Sequence, residues 1–357
     1  MKKWMIGSGT LMFAATMLVA CGDTEEEAPA EPTETETETD DEAEEAAEDD
    51  GEDEPAAASE GESFDVGVVQ YADHPSLDAA TEGFKDALAE AGLDITYDDQ
   101  NPNGDMNVLQ TIADTFVGND VDLIFANATP AAQIMTTSTS EIPILFTSVT
   151  DPEGAQLVDT LEAPGGNVTG TMDLHPDAIS QTVELMSEQF DIETFGMVYN
   201  AGEQNSEYQV SIAQETADEL GLSVETATVQ TSADVQSATE SLIGSIDAIY
   251  IVTDNEVVSG LDAVIGVAER ESLPLFVGEL DSVAAGGLAG FGFSYYDIGY
   301  KTGEMATDVL VNGADPATLS VEFPPELELV FNEGAAERMG LDWDEEWDSI
   351  ADNVINE

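Results

Sequence analysis

From Phe64 onward the chain runs through one order of elements twice, and that repeat leaves few folds open to it. Asp65-Val66-Gly67-Val68-Val69-Gln70 is a short apolar run of strand character, followed by the loop Tyr71-Ala72-Asp73-His74-Pro75. Residues 76–91 then carry apolar side chains at helical spacing (Leu77, Ala80, Phe84, Leu88) and stop at Gly92. A strand at Ile95-Thr96-Tyr97, a helix over 105–118, a strand over 121–126, a helix opened by Ala128-Thr129-Pro130 and a strand over 142–147 complete the first series. After residues 165–170 the series restarts. Helices over 179–190, up to Gly221, near 235–243 and up to Glu271 alternate with strands over 194–199, 223–227, 247–252 and 274–278. The clearest echo is Val121-Asp122-Leu123-Ile124 against Ile246-Asp247-Ala248-Ile249. Strand and helix alternating through short connections predict parallel βαβ units. The expected fold is therefore α/β, with two doubly wound Rossmann-like lobes joined by a hinge and a cleft where strand C-terminal ends face one another.

Before this domain the sequence is of another kind. Lys2 and Lys3 precede an apolar run from Trp4 to Ala20, which closes on Leu18-Val19-Ala20-Cys21. Basic, apolar and small residues in that order read as a secretory signal over 1–21. The Leu-Val-Ala-Cys ending resembles a bacterial lipobox, which makes Cys21 the lipidation site. At about 0.8 kcal/mol per buried methylene, two or three acyl chains hold a protein to a bilayer. The expected location is the extracellular face of the cell membrane, through a lipid anchor. Residues 22–63 are mostly Glu, Asp, Thr, Ala and Pro with no basic residue, too polar to bury a core, and read as an extended acidic tether.

The chain holds 77 acidic residues against 6 basic ones, a formal charge of -71. Lys85, Arg270, Lys301 and Arg338 are the only cationic side chains beyond the signal. Phosphate backbones are bound by clustered Lys and Arg, so nucleic acid is excluded as a partner. Acidity of this degree suits saline surroundings, where counter-ions screen self-repulsion. With Cys21 the sole cysteine, no internal disulfide can form, and a conventional core must hold the domain. No Gly-x-Ser-x-Gly elbow, His-Glu-x-x-His or cysteine nucleophile is present in the domain, so nothing marks an enzyme. Asp173, His175 and Asp177 do not make a metal set, and no cofactor motif is found.

Several strings together resemble the extracellular substrate-binding proteins of ABC importers, of the tryptophan/tyrosine-type subgroup and the periplasmic-binding-protein type I fold. They are 66–71, Ala128-Thr129-Pro130-Ala131-Ala132-Gln133, 146–152, Pro164-Gly165-Gly166-Asn167-Val168-Thr169-Gly170, Thr253-Asp254-Asn255 and Tyr295-Tyr296-Asp297-Ile298-Gly299. The resemblance covers roughly Phe64 to Leu341. It implies a first lobe of 64–172 plus 294–313 and a second of 173–293 plus 314–345. The chain would cross between them near 171–175, 287–294 and 314–321. It also implies a monomer that closes on its ligand and delivers it to a membrane permease.

Candidate ligand-binding residues follow the strands. On the first lobe they are Tyr71, Asp73, Asn127, Thr129, Ser148 and Thr150, with His74 beside them. On the second they are Asn200, Asn205, Ser206, Asp254, Asn255, Glu279 and Asp281, and Tyr295 stands at a crossing. None of these loops carries a basic side chain. A ligand carboxylate would rest on hydroxyls and on N–H groups at helix starts, Asp254 would hold an ammonium, and Tyr71 or Tyr295 would stack on a ring. Asp254 and Asp281 serve equally well as helix caps. A zwitterionic amino acid fits this set, and the resemblance points to an aromatic one. A nucleoside or sugar ligand is the alternative, and an extracellular hydrolase a more distant one.

Overall fold

A computed structural model describes residues 63–324 and 326–356. The signal, the lipobox cysteine Cys21 and all of the acidic tether except Ser63 lie outside those residues. The first sheet consists of Ser63–Gln70 (β1), Asp94–Gln100 (β2), Leu123–Asn127 (β3), Ile144–Val149 (β4) and Val168–Met172 (β5), in the order β2-β1-β3-β4-β5. All its pairings are parallel. Pro75–Glu90 (α1), Met106–Asn119 (α2) and Thr129–Ser138 (α3) cross over between its strands. Every residue of β3, β4 and β5 is buried, as expected of parallel strands covered on both faces.

The second lobe starts with Ala178–Gln189 (α4), Thr194–Tyr199 (β6), Gln204–Leu220 (α5), Ser223–Thr228 (β7), Val235–Leu242 (α6) and Ala248–Ile251 (β8). Asn255–Ser259 (α7), Leu261–Glu271 (α8), Leu275–Val277 (β9), Leu280–Ala285 (α9) and Ala289–Gly292 (β10) follow. Tyr295–Asn312 (α10) packs on the first lobe. Glu328–Asn332 (β11), Glu333–Met339 (α11), Trp347–Ile350 (α12) and Asn353–Ile355 (β12) return to the second. Its sheet has the order β12-β11-β10-β9-β8-β6-β7, with β11 antiparallel to β10 and all other pairings parallel. Two loops make the first and second crossings, after β5 and after β10.

The repeated aspartates of the sequence echo do the same work in both lobes. Asp122 Oδ2 accepts from the Asp65 N–H at 2.8 Å, and Asp247 Oδ2 accepts from the N–H groups of Glu193 and Thr194 at 3.0 and 2.9 Å. Each one therefore ties the lead-in to a sheet's third strand to the start of its first.

Two expectations about the chain's path need correction. The third crossing was placed at 314–321, but Val321 N–H donates to Leu161 O at 2.7 Å and Glu322 N–H to Gly170 O at 2.9 Å. Met172 N–H in turn donates to Glu322 O at 2.9 Å, so this segment covers the open edge of β5. An edge strand leaves a row of unpaired amides, and the returning chain satisfies it before crossing over. Nor does the second lobe end at 345. Trp347 stacks on Phe331 and Phe190, and Trp343 meets Trp347 edge-on, burying the tail beneath β11.

Helix α10 belongs to the first lobe because glycines let it touch α1. A Cβ on Gly299 would fall within the van der Waals shell of the Ala80 carbonyl, and one on Gly303 would meet Ala87 and the Phe84 carbonyl. Thr302 Oγ1 lies 2.8 Å from Thr171 Oγ1, which lies 2.9 Å from Thr147 Oγ1, a buried hydroxyl chain joining α10 to β5 and β4. Replacing an exposed helical glycine with alanine stabilises by about 0.5–1 kcal/mol, but here the neighbouring atoms are backbone and cannot yield. Gly299→Ala is expected to lower stability by about 1–3 kcal/mol. Gly266→Ala, on the open face of α8, should raise it. Chemical denaturation of the two variants checks both signs.

Candidate functional site

The C-terminal ends of the two sheets meet around a small cavity lined by His74, Leu77, Ser148, Asp173 and Tyr295 together with Asn205, Thr253, Asn255 and Glu279 of the second lobe. Its position follows from the topology, since each wall residue stands at or just after a strand end, at a crossing, or at the start of a helix. Ser148 is held at φ 56° at the end of β4, and Ala128 before α3 at φ 91°, both left-handed conformations uncommon for residues with a side chain. The Ala128 N–H donates to Thr147 O at 3.1 Å, which sets these two turns side by side.

Buried polar atoms without a hydrogen-bond partner gather around this space. They include His74 Nδ1, Ser148 Oγ, Asn205 Oδ1 and Glu279 Oε2, with Thr129 Oγ1 close by at the start of α3. A buried polar atom left unpaired costs about 1–3 kcal/mol. Several such atoms facing one enclosed space mark a ligand site.

Two carboxylates reach the wall with no basic side chain beside them. Asp173 accepts from Thr150 Oγ1 and from the Tyr295 hydroxyl, each at 2.9 Å. Burial pushes its pKa up to about 6 against those two hydrogen bonds. Glu279 accepts from Ser282 Oγ at 2.7 Å, and burial pushes it up to about 7. Burial drives His74 the other way, down to about 4. Lys85, Arg270, Lys301 and Arg338 all lie on the surface in ion pairs with acidic neighbours. Among the described residues, the cavity therefore has no cation of its own.

Of the residues expected from sequence, Ser148, Asn255 and Tyr295 lie on this wall, as do His74, Asn205 and Glu279. Thr150 stands one step behind, on Asp173. Tyr71 is buried, with its hydroxyl donating to Gly104 O at 3.1 Å. Asn127 is spent on α1, donating to Leu77 O at 2.8 Å and to Thr81 Oγ1 at 3.0 Å. Asp73 and Asp281 line a separate groove of about 210 Å³ at the lobe boundary, which shares His74 with the cavity. Asn200 and Ser206 lie behind the wall around Asp254.

The ammonium-holding role expected of Asp254 does not fit its surroundings. One carboxylate oxygen accepts from Asn200 N–H at 2.6 Å and the other from Val257 N–H at 2.9 Å, so it caps α7 and braces β6. Beside it lies Glu203, pushed up by burial first and by the charge of Asp254 next. Sequence reasoning missed Asp173, Leu77 and Thr253 as wall residues. Asp173 follows β5 directly, and the strand-end rule that selected Ser148 would have selected it too, had the segment not been set aside as a crossing.

The lobes touch across the cleft. Ser259 Oγ donates to Asp73 O at 3.0 Å, and Gln204 Nε2 donates to Asp151 Oδ2 at 3.1 Å.

A family model described as ABC transporter substrate binding protein matches residues 65–355. A tyrosine-binding protein of Clostridioides difficile (strain R20291) is 39% identical over 281 residues, 77% of this chain and 81% of the relative. Among solved structures, a conserved domain protein from Vibrio cholerae is 37% identical with a TM-score of 0.78, covering 82% of this chain and 99% of its own. The ABC domain in complex with L-Trp from Streptococcus pneumonia is 34% identical with a TM-score of 0.77, covering 82% of this chain and all of its own. A ligand-free, open structure of a substrate binding protein with adhesive properties from Clostridium difficile is 36% identical over the same shares, with a TM-score of 0.60. At nearly equal identity the chain superposes far better on the L-Trp complex than on the open structure, in keeping with its contacts between the lobes.

The carboxyls set a pH dependence. Asp173 and Glu279 keep protons in the folded chain where the unfolded chain has lost them, so the stability they contribute is complete below the ordinary values of 3.8 and 4.5. It is lost as pH rises through about 6 and about 7. His74 works in reverse, its contribution being lost as pH falls from 6.5 toward about 4. Between about pH 6.5 and 8 the groups still losing protons in the folded chain are Glu279, held up to about 7, and Glu203, held up to about 8, so the ligand-free chain should melt at lower temperature as pH rises. Glu279→Gln should make that slope shallower, leaving the part due to Glu203, and raise the midpoint at pH 8, read by calorimetry.

Proposed function

The chain belongs to the ABC transporter substrate-binding protein family, and we propose that it captures an aromatic amino acid as a zwitterion and delivers it unaltered to a membrane permease. The observation that carries this reading is an enclosed cavity whose buried carboxylates have no cation. Asp173 and Glu279, one from each lobe, offer the charge that an α-ammonium needs, and Asn205 Oδ1 adds a neutral acceptor. A ligand ammonium would offset burial of both carboxylates at once, and only with the lobes closed.

The opposite end suits a carboxylate. Ser148 and Thr129 hydroxyls stand beside the start of α3, where Ala128 provides no side-chain cap to the first-turn amides. Helix N-termini favour negative charge, and no lysine or arginine is needed. Leu77 and the ring of Tyr295 leave an apolar surface for a side chain, with Phe293 stacked on Tyr295 at 5.6 Å behind it. The names of the relatives support an aromatic ligand. A sugar or nucleoside, lacking an ammonium, would leave both carboxylates without a counter-charge.

Lipid attachment at Cys21 and a position on the extracellular face complete the proposal, with a monomer as the working form. Cys21→Ser is expected to move the protein from the membrane fraction to the medium, as immunoblots of fractionated cells would show.

Titration calorimetry with L-tyrosine, L-phenylalanine and L-tryptophan tests the ligand. At least one should bind, and its des-amino analogue should bind at least about 100-fold more weakly, as expected when buried partners lose their counter-group. Asp173→Asn should cost at least about tenfold in affinity, or about 1.4 kcal/mol. Equal affinity for amine-bearing and des-amino ligands would reject the assignment.

A further inference from the structure

On each flank of the cleft, a side chain of the second lobe is seated beside a glycine of the first. Glu256, on α7, is buried, and its Oε2 accepts from Ser232 N–H at 2.7 Å. That bond leaves Oε1 against Gly104 in the loop between β2 and α2, where a Cβ would fall well inside the oxygen's van der Waals shell. Ser259, on the same helix, reaches the Asp73 carbonyl at 3.0 Å. On the other flank Gln204, the first residue of α5, donates to Asp151 Oδ2 at 3.1 Å, while Gly154 N–H donates to Oδ1 at 2.9 Å. A Cβ on Gly154 would displace that carboxylate.

Gly104 cannot back away. Its N–H donates to Tyr71 O at 3.0 Å, and its carbonyl accepts from the Tyr71 hydroxyl at 3.1 Å. The next residue, Asp105, caps α2 by accepting from the N–H groups of Asn107 and Val108. Gly104 has φ 76°, but that angle alone does not demand glycine, since Asn103 beside it carries a side chain at φ 47°. The approach of Glu256 does. Asn255 precedes Glu256 and Asn205 follows Gln204, and both asparagines line the cavity. Seating the two side chains therefore brings the second lobe's wall up to Ser148 and Asp173.

We infer that Glu256 and Gln204 are positioning residues that set how far the lobes close, and that Gly104 is the position that admits closure. They fix the fraction of the chain in its binding-competent form, and apparent affinity scales with that fraction. The inference rests on the reading that a ligand is captured by closure, and it extends that reading to residues outside the cavity wall.

Gly92 supplies a matched control, because it has φ 75° in the same lobe with nothing within 4 Å of its Cβ position. Gly92→Ala and Gly104→Ala share one backbone strain, and only the second meets the other lobe. The probe for titration calorimetry is whichever of L-tyrosine, L-phenylalanine and L-tryptophan the wild type binds. Gly104→Ala should weaken that affinity at least about tenfold and Gly92→Ala less than about twofold. In a Glu256→Ala background the obstacle is gone, and Gly104→Ala should cost less than about threefold. Unchanged affinity in Gly104→Ala, or the same loss with and without Glu256, would overturn the inference. A second readout needs no ligand. With Cys21→Ser the full chain has no other thiol, so a short bismaleimide joins Asp151→Cys to Gln204→Cys only when the lobes meet. Gly104→Ala should slow that joining at least about fivefold and Gly92→Ala should not, and equal rates in both would overturn the inference. Should Gly104→Ala fail to fold by its thermal melt, the other flank decides. There Gly154→Ala should weaken affinity at least about threefold while Gln204 is present and not in Gln204→Ala, and equal losses would refute the inference. If the wild type takes none of the three amino acids, the functional reading falls, and the joining rate still decides whether Gly104 admits closure.

Discussion

Carboxylates buried without a cation are the constraint around which this molecule is arranged. Among the described residues no basic side chain pairs Asp173 or Glu279, since Lys85, Arg270, Lys301 and Arg338 are all held at the surface. Hydroxyls from Thr150, Tyr295 and Ser282 soften the penalty but bring no charge. On the proposed reading, closing the lobes would remove water from both groups, so an empty closed form would be costly and a positively charged group on the ligand would offset that cost. Differential affinity of this kind is what lets a ligand shift a conformational equilibrium. In this chain it arises from what the wall lacks.

The backbone places that wall at the pivot. Asp173 lies on the first crossing and Tyr295 begins α10 just past the second, so the bond between them joins two of the connecting strands. Helix α10 is kept on the first lobe by glycine contacts with α1 and by the threonine chain to β4 and β5. Rotation about the crossings would therefore carry Glu279 and Asn205 relative to Asp173 while leaving Asp173 and Tyr295 together. Few residues need to move for the site to assemble.

Much of this could be read from the sequence because parallel βαβ units write their alternation locally. The buried strands Leu123–Asn127 and Ile144–Val149 announce themselves as apolar runs, and the wall residues Ser148 and Asn255 follow from strand ends. What stayed hidden depends on pairing between distant segments. Ala289–Gly292 and Asn353–Ile355 are only 4 and 3 residues long, too short for a period to show, and they become strands through pairing with Glu328–Asn332, the former with Leu275–Val277 as well. Asp254 was ambiguous for a different reason, since an aspartate after a strand suits a helix cap as well as a ligand, and only the bonds to Asn200 and Val257 separate the two. The bond from Asn255 Nδ2 to Glu203 spans 52 residues, and no local pattern encodes it.

The aromatic cluster under β11 gives the molecule a property separate from its cleft. Trp343 and Trp347 are packed among Phe190 and Phe331 at the far edge of the second sheet, and neither borders the cavity. Indole emission from the domain is thus blind to occupancy and sensitive to collapse of one half of the protein. A spectroscopist watching that signal would see denaturation of the second half alone, so long as the cleft holds no ligand with an indole of its own.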